Sequence, residues 1–175
     1  MKRICSLALT LFFVFSVSVK GEQREKDPFV IEVETAKMTP LKKAAFSWLD
    51  GAVTELSQIN EKIWRWAELA MEEYRSSELL ASYLEEQGFQ VERGVAGMPT
   101  AFVATFGTGE PVIGILAEYD ALPGLSQDTV PHKEAIEEGA PGHGCGHNIF
   151  GVASTAAAVA MKEAMAGQGL SGTVK

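Results

Sequence analysis

The chain has 175 residues, 46% hydrophobic and 22% charged, a composition that fits one globular domain and excludes a disordered or fibrous polypeptide. Its formal net charge of −8 argues against nucleic acid and anionic membrane as partners.

Lys2 and Arg3 precede an uncharged, largely apolar run from Ile4 to Val19, followed by Gly21. This predicts a secretory signal peptide over residues 1–21, with export to the periplasm or beyond the cell. The run's 16 residues fall short of the roughly 17–25 that span a bilayer. Cleavage near Gly21 would leave 12 basic and 23 acidic residues, a formal charge of −11, and would remove Cys5. Cys145 would then be the one thiol of an exported protein, to be explained by intermolecular pairing, by inert burial or by metal ligation. Residues 22–40, punctuated by Pro28 and Pro40, read as an exposed leader, and residues 41–175 as the domain.

From Leu41 to Gln87 the pattern is helical. Ile59, Ile63, Trp66 and Ala70 fall on one face, which makes Trp64 and Trp66 expected core residues. Ser76 or Ser77 is the expected cap of a second helix that carries Leu80 and Leu84 and stops at Gly88. Strands are then expected at Phe89 to Val91, Ala101 to Phe106 and Val112 to Leu116, with a hairpin-like turn at Thr108-Gly109. The run Val112 to Ala117 does not alternate, as in a strand covered on both faces of an α/β sheet. Glu118-Tyr119-Asp120 follows at its carboxyl end, where open α/β sheets bind ligands.

Gly124 to Gly142 is a long polar loop in which His132 reads as a solvated side chain. Asn148 is the expected cap of a helix from Ile149 to about Ala166, with Ala153, Ala156, Ala157 and Ala160 allowing close approach to the sheet. A further strand begins at Ser171 to Lys175.

Between loop and helix stand His143, Cys145 and His147, separated by Gly144 and Gly146. In an extended stretch residues two apart share a side, so Cys145 and His147 could reach one ion. Thiolate and imidazole suit zinc and related first-row metals. A G-x-C-x-G nucleophile elbow fails because histidines occupy 143 and 147, and a dinucleotide fingerprint from Gly142 meets His147 at its third glycine. A Cys–His nucleophile pair lacks an orienting third group. Metal binding and an inert cysteine both remain open on residue types alone.

Ala117-Glu118-Tyr119-Asp120-Ala121-Leu122-Pro123-Gly124, followed by Gly142-His143-Gly144-Cys145-Gly146-His147-Asn148, resembles the metal-dependent amidohydrolases and carboxypeptidases that include p-aminobenzoyl-glutamate hydrolases, indole-acetyl-amino-acid hydrolases and aminoacylases. The likeness covers roughly residues 55 to 175 and takes in Ile63-Trp64, Ala67-Glu68-Leu69 and Gly94 to Phe102. It implies the N-terminal portion of a three-layer α/β/α catalytic domain, like that of the zinc exopeptidases, binding manganese or zinc. By this resemblance Cys145 and His147 are metal ligands, His143 and Glu118 support them, and Asp120 is the acid that orients the metal site. Asn148 stands where many members carry aspartate, which fits the p-aminobenzoyl-glutamate branch. The implied substrate is a small N-acyl or N-aroyl amino acid, the implied parent enzyme a homo-oligomer.

In the family, the catalytic glutamate and further ligands lie downstream of the strand near Thr173. The chain is therefore expected to be an incomplete, inactive portion of a secreted amidohydrolase. The alternatives are a secreted noncatalytic α/β protein in which Cys145 and His147 bind metal weakly or serve structure, and a redox thiol protein.

Overall fold

Thr39 opens the first helix because its side-chain oxygen accepts the Lys42 amide at 3.2 Å, while Pro40 stands at a position that needs no N–H donor. The computed structural model describes residues 38–175, so the predicted signal peptide and most of the predicted leader lie outside the described residues. Helix α1 (Pro40–Trp66) ends at Ala67, a left-handed cap whose N–H returns to Ile63 O. Helix α2 (Tyr74–Glu86) follows, then β1 (Gln90–Arg93), β2 (Phe102–Thr108), β3 (Val112–Ile113), α3 (His147–Gln168) and β4 (Gly172–Val174). The result is an α/β fold with a mixed four-stranded sheet in the order β1-β2-β4-β3. Strands β1–β2 and β2–β4 are antiparallel, and β3–β4 is parallel.

The core joins Ile59 and Ile63 of α1, Leu80 and Leu84 of α2, Phe89, Val152 and Val159 of α3, and Val174 of β4. Helix α3 lies mainly against α1 and also meets α2 and β4. Its buried small residues are Gly151, Ala156, Ala158, Ala160 and Ala164, whereas Ala153 and Ala157 face solvent, contrary to expectation. The helix is buried mostly by other helices, so its contact stripe differs from one set by a sheet.

Other expectations are corrected by tertiary contacts. Helix α2 starts before Ser76 and Ser77, with Glu73 at its N-cap and no capping hydrogen bond from the Glu73 side chain. Ser76 is buried inside the first turn and turns its hydroxyl to Glu68. Trp64 and Trp66 are half-buried rather than core, and Ala70 lies exposed beyond the end of α1. No hairpin joins β2 to β3, because β4 lies between them. Gly107 permits that insertion: a Cβ there would lie 2.2 Å from Gly172 O. Only Val112 and Ile113 of the apolar run form strand. Ser154 of α3 donates to Leu116 O on one side of the continuing segment, yet the Leu116 side chain remains 74% exposed, so burial on both faces is not seen among the described residues.

Glu68, in the α1–α2 connection, organises this corner. Its Oε1 accepts Arg75 N and Nε, and its Oε2 accepts Ser76 N and Oγ, so one carboxylate supplies the cap that Glu73 does not. Burial pushes its carboxyl upward, but the hydrogen bonds from Ser76 and Arg75 outweigh that and leave it below the usual 4.5. Its backbone carbonyl accepts Ala121 N at 2.7 Å, beside the Leu69–Ala121 bridge. Because the folded pKa is depressed, the stabilisation is present above pH 4.5 and is lost as pH falls through the folded value. Glu68→Ala strands the buried Ser76 hydroxyl and two helix N–H groups, and should cost about 2–4 kcal/mol in urea unfolding at pH 7. The same substitution should also abolish this acid-dependent loss; unchanged stability at pH 7 would refute the capping role.

Candidate metal centre

The segment from Gly114 to Asp120 leaves β3 without regular pairing partners beyond the Lys175 carbonyl that accepts Ile115 N. Its side chains alternate as in an extended chain. Glu118 and Asp120 both turn to His147, while Tyr119 turns toward β2. Tyr119 stacks on Phe102 at 6.1 Å between centroids, and its hydroxyl donates to Thr100 O. Burial, then the charge of Glu73, pushes the Tyr119 phenol up to about 12, which keeps it a donor. Thr100 is held in turn by donating to Glu73 Oε2 at 2.6 Å. Tyr119 thus anchors the strip that presents the two carboxylates.

Opposite that strip, Gly146 at φ 80° turns the chain into α3, and His147 is the helix's first residue. The His147 ring sits between two acids: Nδ1 lies 2.7 Å from Asp120 Oδ1, and Nε2 lies 3.0 Å from Glu118 Oε2. The Cys145 thiol is exposed and donates to Asp120 O at 3.7 Å. Exposure excludes the inert buried reading of this cysteine. Asn148, expected as a cap, is instead buried in α3 and donates through Nδ2 to Asn60 Oδ1 at 2.9 Å, tying the turn to α1.

His143 is not part of this group. Residues 143–146 form a turn closed by Gly146 N to His143 O at 3.0 Å rather than an extended stretch, so the expected alternation breaks down. His143 Nε2 donates to Ile63 O at 3.1 Å, at the end of α1, and Nδ1 is buried without a partner. Burial pulls the His143 pKa down, only partly opposed by the Ile63 carbonyl, so the ring is neutral at neutral pH. His132 lies exposed in the loop and contacts Glu134 at 2.9 Å.

The donor chemistry fits a divalent cation, although no group of three or more His, Cys, Asp or Glu side chains among the described residues is arranged to hold one. A neutral imidazole has one N–H, yet both nitrogens here face carboxylates. An imidazolium would donate to both; a neutral ring with its proton on Nδ1 toward Asp120 would instead leave the Nε2 lone pair free as a ligand for a divalent ion. Cys145 supplies a thiol from the same turn.

Two residues that sequence reasoning passed over set this geometry. Tyr119 is one, and Gly151 is the other. A Cβ on Gly151 would stand 2.9 Å from Glu118 O and 3.2 Å from Tyr119 Cβ, so α3 reaches the carboxylate strip only because this position lacks a side chain. The signal available was a glycine one turn into a helix, which otherwise costs about 1 kcal/mol relative to alanine. Gly151→Ala should therefore lose about 1–3 kcal/mol from overlap despite the gain in helix propensity. Gly167→Ala, with open space around its Cβ, should gain up to about 1 kcal/mol. Thermal unfolding of the pair checks this, and stabilisation by both substitutions would show that the close approach does not matter.

No protein-family model matches the chain. It is 48% identical over 120 residues to a subunit of the p-aminobenzoyl-glutamate hydrolase of Escherichia coli (strain K12), covering 68% of this chain and 25% of that protein. It is 31% identical over 140 residues to the Xaa-Arg dipeptidase of Mus musculus, covering 74% and 29%. The chain thus spans about a quarter of the length of these relatives. Among solved structures it superposes on the YxeP protein of Bacillus subtilis, described as a dinuclear metal binding peptidase from the M20 family, with TM-score 0.53 and 29% identity over 69% of this chain and 33% of that one. An aminohydrolase structure from methicillin-resistant Staphylococcus aureus shares the fold at TM-score 0.56 and 22% identity, over 77% and 33%. With the Glu118–Asp120 strip and the His143–His147 turn in place, the chain belongs to the M20 family of metallopeptidases and amidohydrolases and corresponds to a part of its members' length.

Proposed function

We propose that this chain contributes Cys145 and His147 as ligands of a manganese or zinc centre in an exported, homo-oligomeric amidohydrolase. The enzyme cleaves the amide between an acyl or aroyl group and an amino acid. The observation that carries the reading is the His147 imidazole, held by Asp120 through Nδ1 and facing Glu118 through Nε2 beside the Cys145 thiol. The name of the Escherichia coli relative supports the substrate class, and the name of the Bacillus subtilis structure supports a metal. Export rests on the charged, then apolar, opening of the sequence.

Bound there, a divalent ion supplies Lewis acidity toward a carbonyl oxygen and lowers the pKa of a coordinated water. The chain's own residues set the stage for that chemistry. Asp120 fixes the tautomer and orientation of His147, Tyr119 holds Asp120 in place, and Gly146 and Gly151 allow turn and helix to close on the carboxylates. His143 stays neutral beneath the turn and braces it against α1.

Calorimetric titration with Zn²⁺ and Mn²⁺ should show binding that Cys145→Ala and His147→Ala each abolish. Asp120→Asn should weaken it roughly 10- to 100-fold without removing it. Binding untouched by these substitutions would eliminate the proposed centre. The purified 175-residue protein should release no amino acid from p-aminobenzoyl-glutamate or N-acyl amino acids; turnover that a chelator stops would contradict the inactivity of this form. A thiol that reacts equally before and after chelation, with no metal bound, would favour redox chemistry at Cys145.

A further inference from the structure

A second feature adjoins the metal turn, with His143 and Gly144 but neither Cys145 nor His147 in its lining. The loop from Leu125 to Ala140 and the end of α1 border an open cleft of about 490 Å³, within the roughly 300–1,000 Å³ of small-molecule pockets. Trp64, Trp66, Leu125, Ile136 and Pro141 form its apolar walls, with Arg65 at the same wall.

The cleft is built rather than incidental. Leu122 and Gly142 exchange two backbone hydrogen bonds of 3.0 Å that close the loop's neck, and Ser126 N donates to Ala140 O above them. A Cβ on Gly142 would lie 2.0 Å from Leu125 O, and one on Gly144 would lie 2.8 Å from Leu125 Cδ1, so loop and turn are in tight contact at the cleft floor. The indoles are also held. The Arg65 guanidinium, paired with Glu61 at 2.7 Å, lies 5.8 Å from the Trp64 ring centroid. The Arg75 guanidinium, paired with Glu68 at 2.9 Å, lies 5.2 Å from that of Trp66. Two restrained indoles and the exposed Leu125 and Ile136 side chains leave an apolar surface facing water.

We propose that this cleft is a binding site for a planar aromatic group. Flat, restrained indole surfaces favour an aromatic ring over an aliphatic one of similar area, because offset or edge-on ring pairs add attraction beyond burial, equivalent to a preference of roughly 3- to 10-fold. The site needs no metal and uses none of the proposed ligands, so it stands or falls separately from the metal centre.

The test is a titration of the ¹⁵N-labelled 175-residue protein with benzamide and with cyclohexanecarboxamide in the presence of a chelator, following the indole N–H signals of its three tryptophans. Benzamide should shift Trp64 and Trp66 saturably and leave Trp48 unmoved, at concentrations roughly 3- to 10-fold lower than cyclohexanecarboxamide requires. Trp66→Leu should remove the response of Trp64. Should that variant not fold, Ile136→Asp, an exposed loop substitution, should weaken benzamide several-fold while leaving the unliganded spectrum otherwise intact. Equal responses to the two amides, no saturable shift at Trp64 and Trp66, or benzamide binding indifferent to Ile136→Asp would overturn the proposal.

Discussion

The carboxylate of Glu68 is the interaction on which the rest of the described structure depends. One side chain satisfies two N–H groups at the start of α2, the buried Ser76 hydroxyl and the Arg75 guanidinium, and its own backbone carbonyl holds Ala121. Through it the α1–α2 connection, the second helix and the strip carrying Glu118 and Asp120 become one unit. An ionised carboxylate is almost fully withdrawn from water here, at 9% side-chain exposure, and is tolerable only because four donors converge on it. The same Arg75 lies over Trp66, so the contact that caps α2 also steadies a wall of the aromatic cleft.

The metal turn is assembled by opposing constraints on its two sides. On one side Asp120 and Glu118 set two carboxylates against the two nitrogens of a single imidazole, which fixes the ring's orientation. On the other, His143 and Asn148 reach α1 through Ile63 O and Asn60 Oδ1, so the turn cannot drift from the first helix. The chain therefore uses three neighbouring residues of one motif for two purposes: Cys145 and His147 face the carboxylates, and His143 fastens the turn from behind. Gly151 adds the remaining condition by letting α3 contact the carboxylate strip.

Much of this was legible before any fold was known. Helix α3 and the stop of α2 at Gly88 follow from local chemistry, since a left-handed glycine ends a helix wherever the helix is packed. The grouping of Asp120, Cys145 and His147 could be anticipated because a strand end and a Gly-rich turn before a helix both present short polar side chains at known spacing. The departures share one cause. Ser76, Asn148, Trp64 and Trp66 were assigned by local rules for caps and helix faces, and each was redirected by a partner outside its own helix: Glu68, Asn60, and the loop around Leu125 and Ile136.

The sequence by itself determined the α/β class and the chemical identity of the candidate ligands, because residue type, spacing and periodicity are properties of the chain alone, and its two motifs carried the resemblance to the family. The tertiary structure decided which side chains meet. It fastened His143 to α1 behind the turn, placed β4 between β2 and β3 where a hairpin was expected, and made Tyr119, Gly151 and Glu68 the supports of the site. The physical reason is that direction and close approach are set by packing across long sequence separations, where a missing Cβ or one shared carboxylate outweighs local preference.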